Sequence, residues 1–366
     1  MKPLIIIAQS AQMLAQAACH IGLNVITIDC FADQDTQALA VQSYRVDSLA
    51  INALKNCIDR LENKFNECLY GSGFELYPES LIFLETRFKL IGNSSRIFNA
   101  LQNKHQFFKR LQALTILFPP VFFPTKNKLQ PKFKTQPYLI KPHNNVGGMN
   151  IHSATTYNVN PLTILNYYYQ KKIAGQAMSA LFAANGQHAL IMGFNQQWSC
   201  PNSFVFSGIM NHTTLSHQHR NKLHHWINRL TKRYQLRGLC SLDFIFYRHH
   251  CYVLEINPRP PASMALYPKN LLNIHLLACQ GQLDKTLIIK DPLYRVYQII
   301  YSHVKLQIPP YFKWADYCCN LPAAGMIIGK GEPICSMIIS GKNPKRLLDD
   351  LNDKQLLLFT QISEIT

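Results

Sequence analysis

The stretch 240–261, CSLDFIFYRHHCYVLEINPRPP, gathers residue types that can hold a metal ion and a phosphate. It reads as two short strands, CSLDFIFY and CYVLEINP, joined by Arg248, His249 and His250. Strand alternation puts Ser241, Asp243, Ile245 and Tyr247 on one face of the first arm. Cys251, Val253, Glu255 and Asn257 share one face of the second. A three-residue loop centred on His249 pairs Tyr247 with Cys251, Ile245 with Val253 and Asp243 with Glu255. A two-residue loop would break that pairing, so the assignment depends on register. Carboxylates directly opposed on a sheet repel. A hard cation resolves the conflict: Mg²⁺ takes one or two carboxylates and an amide oxygen, and completes its shell with water and substrate phosphates. Mn²⁺ accepts the same oxygen donors. Asp243, Glu255 and Asn257 are therefore the metal candidates, and Arg259 can hold a negatively charged reactant. The rival is an ordinary hairpin with its polar groups in water. Acid, acid and amide converging beside NPRPP favour a metal–nucleotide site.

Other elements must bring phosphate-binding groups to that hairpin. YLIKPHNNVGGMNIH reads as strand, lysine, glycine-bearing loop and strand. Lys141 at the strand end can reach a phosphate, and Gly147 and Gly148 let backbone N–H groups fold over it. No GxxxxGK[ST] occurs, which excludes a P-loop. Lys104 lies in the helical run NALQNKHQFFKRLQAL. Residues 4–31 alternate strand, helix, strand, with Ser10 placed to cap the helix and Gly22 to end it. The turn AQSAQ lacks GxGxxG, so a dinucleotide site is disfavoured. Such a turn can still hold a small substrate through Ser10, because open α/β sheets bind ligands at the carboxyl ends of their strands. Glu75, in CLYGSGFE, falls at another strand end and is a second substrate candidate.

An amphipathic helix is expected over 48–66, and Ser94 or Ser95 caps a later one. A hairpin turns at Asn185–Gly186, and the best helix spans 216–236 and ends at Gly238. From about Asp291 the chain holds short strands, turns and a final helix beginning PKRLL.

The chain has 366 residues, 48% of them hydrophobic and 16% charged, which suits two or three globular subdomains. No apolar run approaches the roughly 20 residues that span a bilayer. The apolar core of MKPLIIIAQS is too short for a secretory signal, so the cytoplasm is the expected location. Eleven cysteines without framework spacing read as reduced thiols, and His212, His217 and His219 match no zinc pattern. Lys and Arg number 37 against 20 acidic residues, a net charge of +17 that favours anionic partners without choosing one.

LDF followed by VLEINPRP resembles the metal-binding signature of the ATP-grasp superfamily, whose enzymes use ATP to phosphorylate a carboxylate that a nucleophile then attacks. The resemblance implies Mg²⁺ ligation by Asp243, Glu255 and Asn257, and phosphate or acyl-phosphate contact for Arg259. It implies that Lys104 and Lys141 hold the phosphates under Gly147 and Gly148. YYYQKKIAG resembles the segment that cradles adenine, which gives Gln170, Lys171 and Ile173 nucleotide roles. Lys171 stands where an acid is common, a departure that bears on the polar contact there. IAQSAQMLAQAACHIGLNVITIDCFADQDT, YGSGFE, SALFAANGQHALIMGFNQQW and PICSMIISG are together similar to one subgroup. These are carboligases of biotin-carboxylase-like architecture, associated with tetrahydromethanopterin- or methylofuran-linked one-carbon metabolism. Asn320, where an Asp is expected, is a further departure.

The expected architecture is α/β with α+β subdomains, an ATP-grasp fold. A Rossmann-like domain covers 1–97, the ATP-grasp domain 98–290 with a lid near 115–175, and a small β-rich subdomain 291–366. The expected activity is an ATP- and Mg²⁺-dependent carboxylate–amine ligase, with Lys141 and Arg259 catalytic. Its partners are small-molecule, mostly anionic acids and amines, with no membrane, nucleic acid disfavoured, and a homodimer among the options. The rivals are an ATP-binding protein without turnover, a basic nucleic-acid-binding protein, or the same fold with a thiol or bicarbonate in place of the amine.

Overall fold

The computed structural model describes residues 2–61, 65–126, 128–129, 137–157, 159–160, 162–289 and 291–365. The N-terminal layer runs β1 (Leu4–Ile7), α1 (Gln12–His20), β2 (Val25–Asp29), α2 (Gln34–Leu39), β3 (Gln42–Arg45), α3 (Ile51–Ile58), β4 (Glu67–Tyr70), α4 (Pro78–Glu85) and β5 (Lys89–Ile91). Its strands pair in parallel in the order β3-β2-β1-β4-β5. Strands covered on both faces are apolar throughout, as LIII and VITID are. Ile5 and Ile7 enter one core with Ile26, Ile28 and Phe98. Ile6 faces the other way and meets Leu181, Leu239 and Leu272 from later in the chain. The second face of this sheet is thus the seam with the rest of the molecule.

Helices α5 (Ser95–Gln102) and α6 (Lys104–Ala113) lead to a small antiparallel sheet. It contains β6 (Val121–Phe122), β7 (Tyr138–Pro142), β8 (His152–Ser153) and β9 (Tyr167–Lys171), ordered β6-β9-β7-β8. Then come β10 (Gln176–Asn185), β11 (Ala189–Ser199), β12 (Phe206–Met210), α7 (His217–Tyr234), β13 (Arg237–Tyr247), β14 (His250–Asn257) and α8 (Leu271–Cys279). The C-terminal segment holds β15 (Tyr294–Tyr301), β16 (Leu306–Gln307), β17 (Cys318–Cys319), β18 (Ile327–Ile328), β19 (Pro333–Gly341) and α9 (Pro344–Ile365). One eight-stranded sheet runs β14-β13-β10-β11-β12-β15-β19-β17. Strands β15, β19 and β17 of the β-rich tail thus extend the central sheet through the β12–β15 pairing, while β16 and β18 form a two-stranded sheet of their own.

Several local expectations change in the fold. The helix expected over 48–66 is confined to Ile51–Ile58. The run around Lys104 breaks at Asn103, whose side chain accepts from Gln106 N and starts a second helix with Lys104 at its head. Gln235, not Gly238, ends α7 in the left-handed conformation (φ 56°). Ser10 does not cap α1; Asp29 accepts from Ala11 N at 3.0 Å instead. Ser94 does cap α5, accepting from Ile97 N. The boundary placed near Ile97 falls inside that helix.

Two buried polar residues fix the seam. Asn93 donates to Arg237 O and Pro258 O, both at 2.9 Å, and accepts from Arg237 N at 2.8 Å. It thereby holds the start of β13 and the chain just past β14. His275 on α8 is fully buried. Its Nδ1 accepts from Leu239 N at 2.8 Å and its Nε2 lies 3.3 Å from Ile91 O, so the ring is neutral with its proton on Nε2.

Burial pushes the His275 pKa down to about 4, against the smaller upward pull of the Ile91 carbonyl. Unfolded, the ring titrates near 6.5, so the unfolded chain binds more protons between these values. The contribution of His275 is complete above pH 6.5 and is lost as pH falls toward 4, about 3 kcal/mol in all. Urea unfolding of the wild type should weaken more steeply from pH 7 to 4.5 than that of His275→Gln. Parallel pH profiles would refute this.

Candidate active site

The acidic hairpin reaches its expected pairing by a different route. Its turn is Arg248–His249, both with positive φ (46° and 62°), and Tyr247 pairs with His250. Such a two-residue turn alone would set Asp243 opposite Leu254. A β-bulge at Asp243/Phe244 absorbs the extra residue, so Asp243 faces Glu255, Leu242 faces Ile256 and Ser241 faces Asn257. The expected pairing of Tyr247 with Cys251 and Ile245 with Val253 gives way to this register.

The two acids are treated differently by their surroundings. Glu255 Oε2 lies 3.0 Å from Nζ of Lys104, a lysine only 5% exposed. Burial presses the Glu255 pKa upward, but Lys104 and Lys141, with Arg259, outweigh it and hold the carboxyl below its usual range. Asp243 is raised, first by burial and then by Glu255 across the strand. Asn257 Nδ2 donates to Asp243 Oδ2 at 3.0 Å and to Ser241 Oγ at 3.3 Å. That orientation commits the amide nitrogen and leaves the amide oxygen for another partner. Asp243 Oδ1 is buried and has no hydrogen-bond partner among the described residues. An orphaned carboxylate oxygen beside a second carboxylate and a spare amide oxygen fits a hard cation. Among the described residues, no group of three or more His, Cys, Asp and Glu could hold a metal.

Lys141 projects from the end of β7, 3.2 Å from Gln170 Oε1 on β9 and 5.9 Å over the Tyr168 ring. Burial lowers its pKa to about 8; Lys104 adds to the fall, while Glu255 and Asp243 oppose it. Gln170 is buried and its Nε2 has no partner among the described residues. The glycine loop is held against the body of the protein, because Phe206 N donates to Gly147 O at 2.8 Å. Gly148 has φ 73°, and a Cβ there would lie 1.9 Å from Phe204 O.

One cavity of about 1200 Å³ is lined by Lys104, Lys141, Gly147, Gly148, Gln170, Lys171, Ile173, Asp243, Glu255, Asn257 and Arg259, and also by Ser10. Ser10 Oγ donates to Asn320 Oδ1 at 2.7 Å, joining the first layer to the C-terminal segment. Glu75 is placed differently from its expected role as a substrate contact. It is only 2% exposed, and its carboxylate accepts from Arg259 Nε at 2.7 Å and from Gly73 N at 2.8 Å. It stands behind Arg259 and fixes the guanidinium. Asp33, which the missing GxGxxG argues against as a ribose ligand, also lines the cavity, as do Tyr168 and Arg295. Tyr168 was legible only as one of three consecutive tyrosines, and strand alternation does not say which of them turns inward.

The three-part arrangement is an ATP-grasp fold: a parallel N-terminal layer, a small lid sheet and a large antiparallel sheet around one cavity. Residues 101–263 match the ATP-grasp domain family. An uncharacterised protein of Methanocaldococcus jannaschii is 23% identical over 353 residues, 91% of this chain and 87% of that one. Campylobacter jejuni biotin carboxylase, in a complex with β,γ-ATP, superposes with a TM-score of 0.73 at 13% identity, over 95% of this chain and 90% of that one. Staphylococcus aureus N5-carboxyaminoimidazole synthetase with ADP gives a TM-score of 0.71 at 14% identity, covering 97% of both chains.

Gly148→Ala should weaken ATP binding about 10- to 100-fold, since the new methyl both strains a positive φ and strikes the Phe204 carbonyl. Calorimetric titration with Mg-ATP measures this. Wild-type affinity in the variant would show that the docked loop does not cover the nucleotide.

Proposed function

We propose that the protein is an ATP- and Mg²⁺-dependent carboxylate–amine ligase working through an acyl phosphate. The observation that carries this reading is the unpartnered Oδ1 of Asp243, opposite Glu255, in the same cavity as Lys104, Lys141 and Arg259. Asp243, Glu255 and Asn257 would hold Mg²⁺, with Mn²⁺ as a substitute. Bound there, the ion offsets negative charge on the transferring phosphoryl group.

The chain's own residues supply the rest. Lys104 and Lys141 bind the phosphates, and Gly147 and Gly148 close over them and exclude water. Gln170, Lys171 and Ile173 border the adenine end, where the orphaned Gln170 Nε2 is a ready donor. Arg259, braced by Glu75, holds the carboxylate and stabilises charge as the γ-phosphoryl group moves to it, releasing ADP. The amine then attacks the acyl carbon, the C–O bond to phosphate breaks, and amide and phosphate leave. Positioning and electrostatics supply most of the catalysis in phosphoryl transfer, so no covalent nucleophile on the protein is needed.

The setting in biosynthesis of a tetrahydromethanopterin- or methylofuran-type cofactor rests on the sequence resemblance. A cytoplasmic location and a homodimer complete the proposal. No helix among the described residues is long and apolar enough to cross a membrane.

A panel of acids, bicarbonate included, and amines with Mg-ATP, read as ADP release and product mass, tests the reading. One pair should give ADP, phosphate and an amide. Asp243→Asn should bind ATP weakly in Mg²⁺ and lose turnover by about 100-fold or more. Full activity in that variant removes the acidic pair from the mechanism. ADP formation without an amide refutes the C–N assignment.

A further inference from the structure

Three aspartates cluster at and beyond the end of β2, and two of them are occupied by backbone N–H groups. Asp29 accepts from Ala11 N at 3.0 Å and from Ala32 N at 2.7 Å. Asp35 accepts from Asn320 N at 2.9 Å and Leu321 N at 3.0 Å. Asp33 differs. It occupies the N-cap position of α2, where an aspartate ordinarily accepts from the first-turn N–H groups, yet its side chain makes no capping bond. It is only 5% exposed, it lines the large cavity, and among the described residues its carboxylate has no hydrogen bond or ion pair. Burial, then Asp35 and Asp29, push its pKa up to about 7, and no cation pulls it back.

A buried acid without a counter-charge destabilises the chain that carries it. The cost is unexplained by packing, because a carboxylate that neither caps nor bridges does nothing for the fold. Its position has a ligand logic: Asp33 follows the carboxyl end of β2, where open α/β sheets bind small molecules. The charged groups on the rest of the cavity wall are mostly cationic, with Lys104, Lys141, Lys171, Lys172, Arg259 and Arg295 among them. Those suit phosphates and carboxylates. Asp33 suits the opposite charge.

We infer that Asp33 is a specificity residue that binds a cationic nitrogen, the ammonium group of the acceptor substrate, at the N-terminal wall of the cavity. The ammonium would supply the counter-charge that the fold omits, forming a charge-assisted hydrogen bond in a low-dielectric site. This inference rests on the ligase reading for calling the ligand an acceptor; the cation preference itself does not need it. An acceptor with two nitrogens is anchored at Asp33 by the one that stays protonated and reacts through the other, which attacks as the neutral amine.

The test uses the full-length chain with Mg-ATP and small matched probes. Binding of n-butylamine, 1,4-diaminobutane and 2-phenylethylamine is compared by ligand-observed NMR with that of 1-butanol, 1,4-butanediol and 2-phenylethanol. At least one amine should bind about 10-fold more tightly than its alcohol, and Asp33→Asn should reduce that preference to about twofold or less. Asp33→Glu should retain part of it. Asp33→Asn should also melt at the same temperature or higher, since it removes an uncompensated buried acid; a structural role predicts a lower melting temperature. The inference fails if no amine is preferred over its alcohol, or if the preference survives in Asp33→Asn. Should Asp33 govern amine binding while no acid yields ADP, this site stands and the ligase reading falls. Amide formation with an unchanged KM for the amine in Asp33→Asn would sink this inference and leave the ligase in place.

Discussion

Asp243 and Glu255 face one another across neighbouring strands, where each raises the cost of charging the other. The surrounding structure is arranged to keep both. A bulge sets the register that brings them together, Asn257 takes one oxygen of Asp243, and Lys104 reaches from the head of a separate helix to Glu255. Lys141 arrives from the lid sheet and Arg259 from the chain just beyond β14, itself braced by Glu75 on the N-terminal layer. Three layers of the molecule therefore converge on one pair of acids. On the proposed function, their mutual repulsion is what makes the place receptive to a cation with phosphates attached.

The cavity has two electrical characters. Around the acidic hairpin, lysines and an arginine gather against carboxylates that partly neutralise them. On the N-terminal wall, Asp33 has no partner among the described residues, while its neighbours Asp29 and Asp35 are spent on backbone N–H groups. A reaction joining an anion to an amine needs unlike surroundings for its two reactants. The net charge of +17 hides this division, because a total says nothing about where single acids lie.

Much of the architecture was legible because buried parallel strands, alternating hairpins and the long helix leave strong periodic signals. The pairing of Asp243 with Glu255 was also legible, though for an incomplete reason. Arg248 and His249 adopt positive φ without a glycine to announce it, and nothing in the composition of VLEIN marks Leu254 as the residue of a bulge. The two departures cancel, which a count along the sequence cannot reveal. Gln235 ending α7 ahead of Gly238 is the same kind of event, a left-handed residue without the usual side chain for it. Glu75 and Asp33 show a different limit. Both are acids near strand ends, and only the three-dimensional neighbourhood distinguishes the one that grips an arginine from the one left free. Contacts between residues 184 apart, as for Glu75 and Arg259, have no local trace.

The tie between Ser10 and Asn320 spans 310 positions, and that between Asp35 and Asn320 spans 285. This part of the cavity wall is thus joined from the N-terminal layer and the C-terminal segment. During synthesis Lys104, Lys141 and the acidic hairpin emerge well before the segment that carries Asn320. On the proposed ligase reading, a nascent polypeptide would have these residues while one side stood open to solvent, where water would intercept an activated acid. The protection that this wall gives on that reading is therefore in place only once Asn320 has been made.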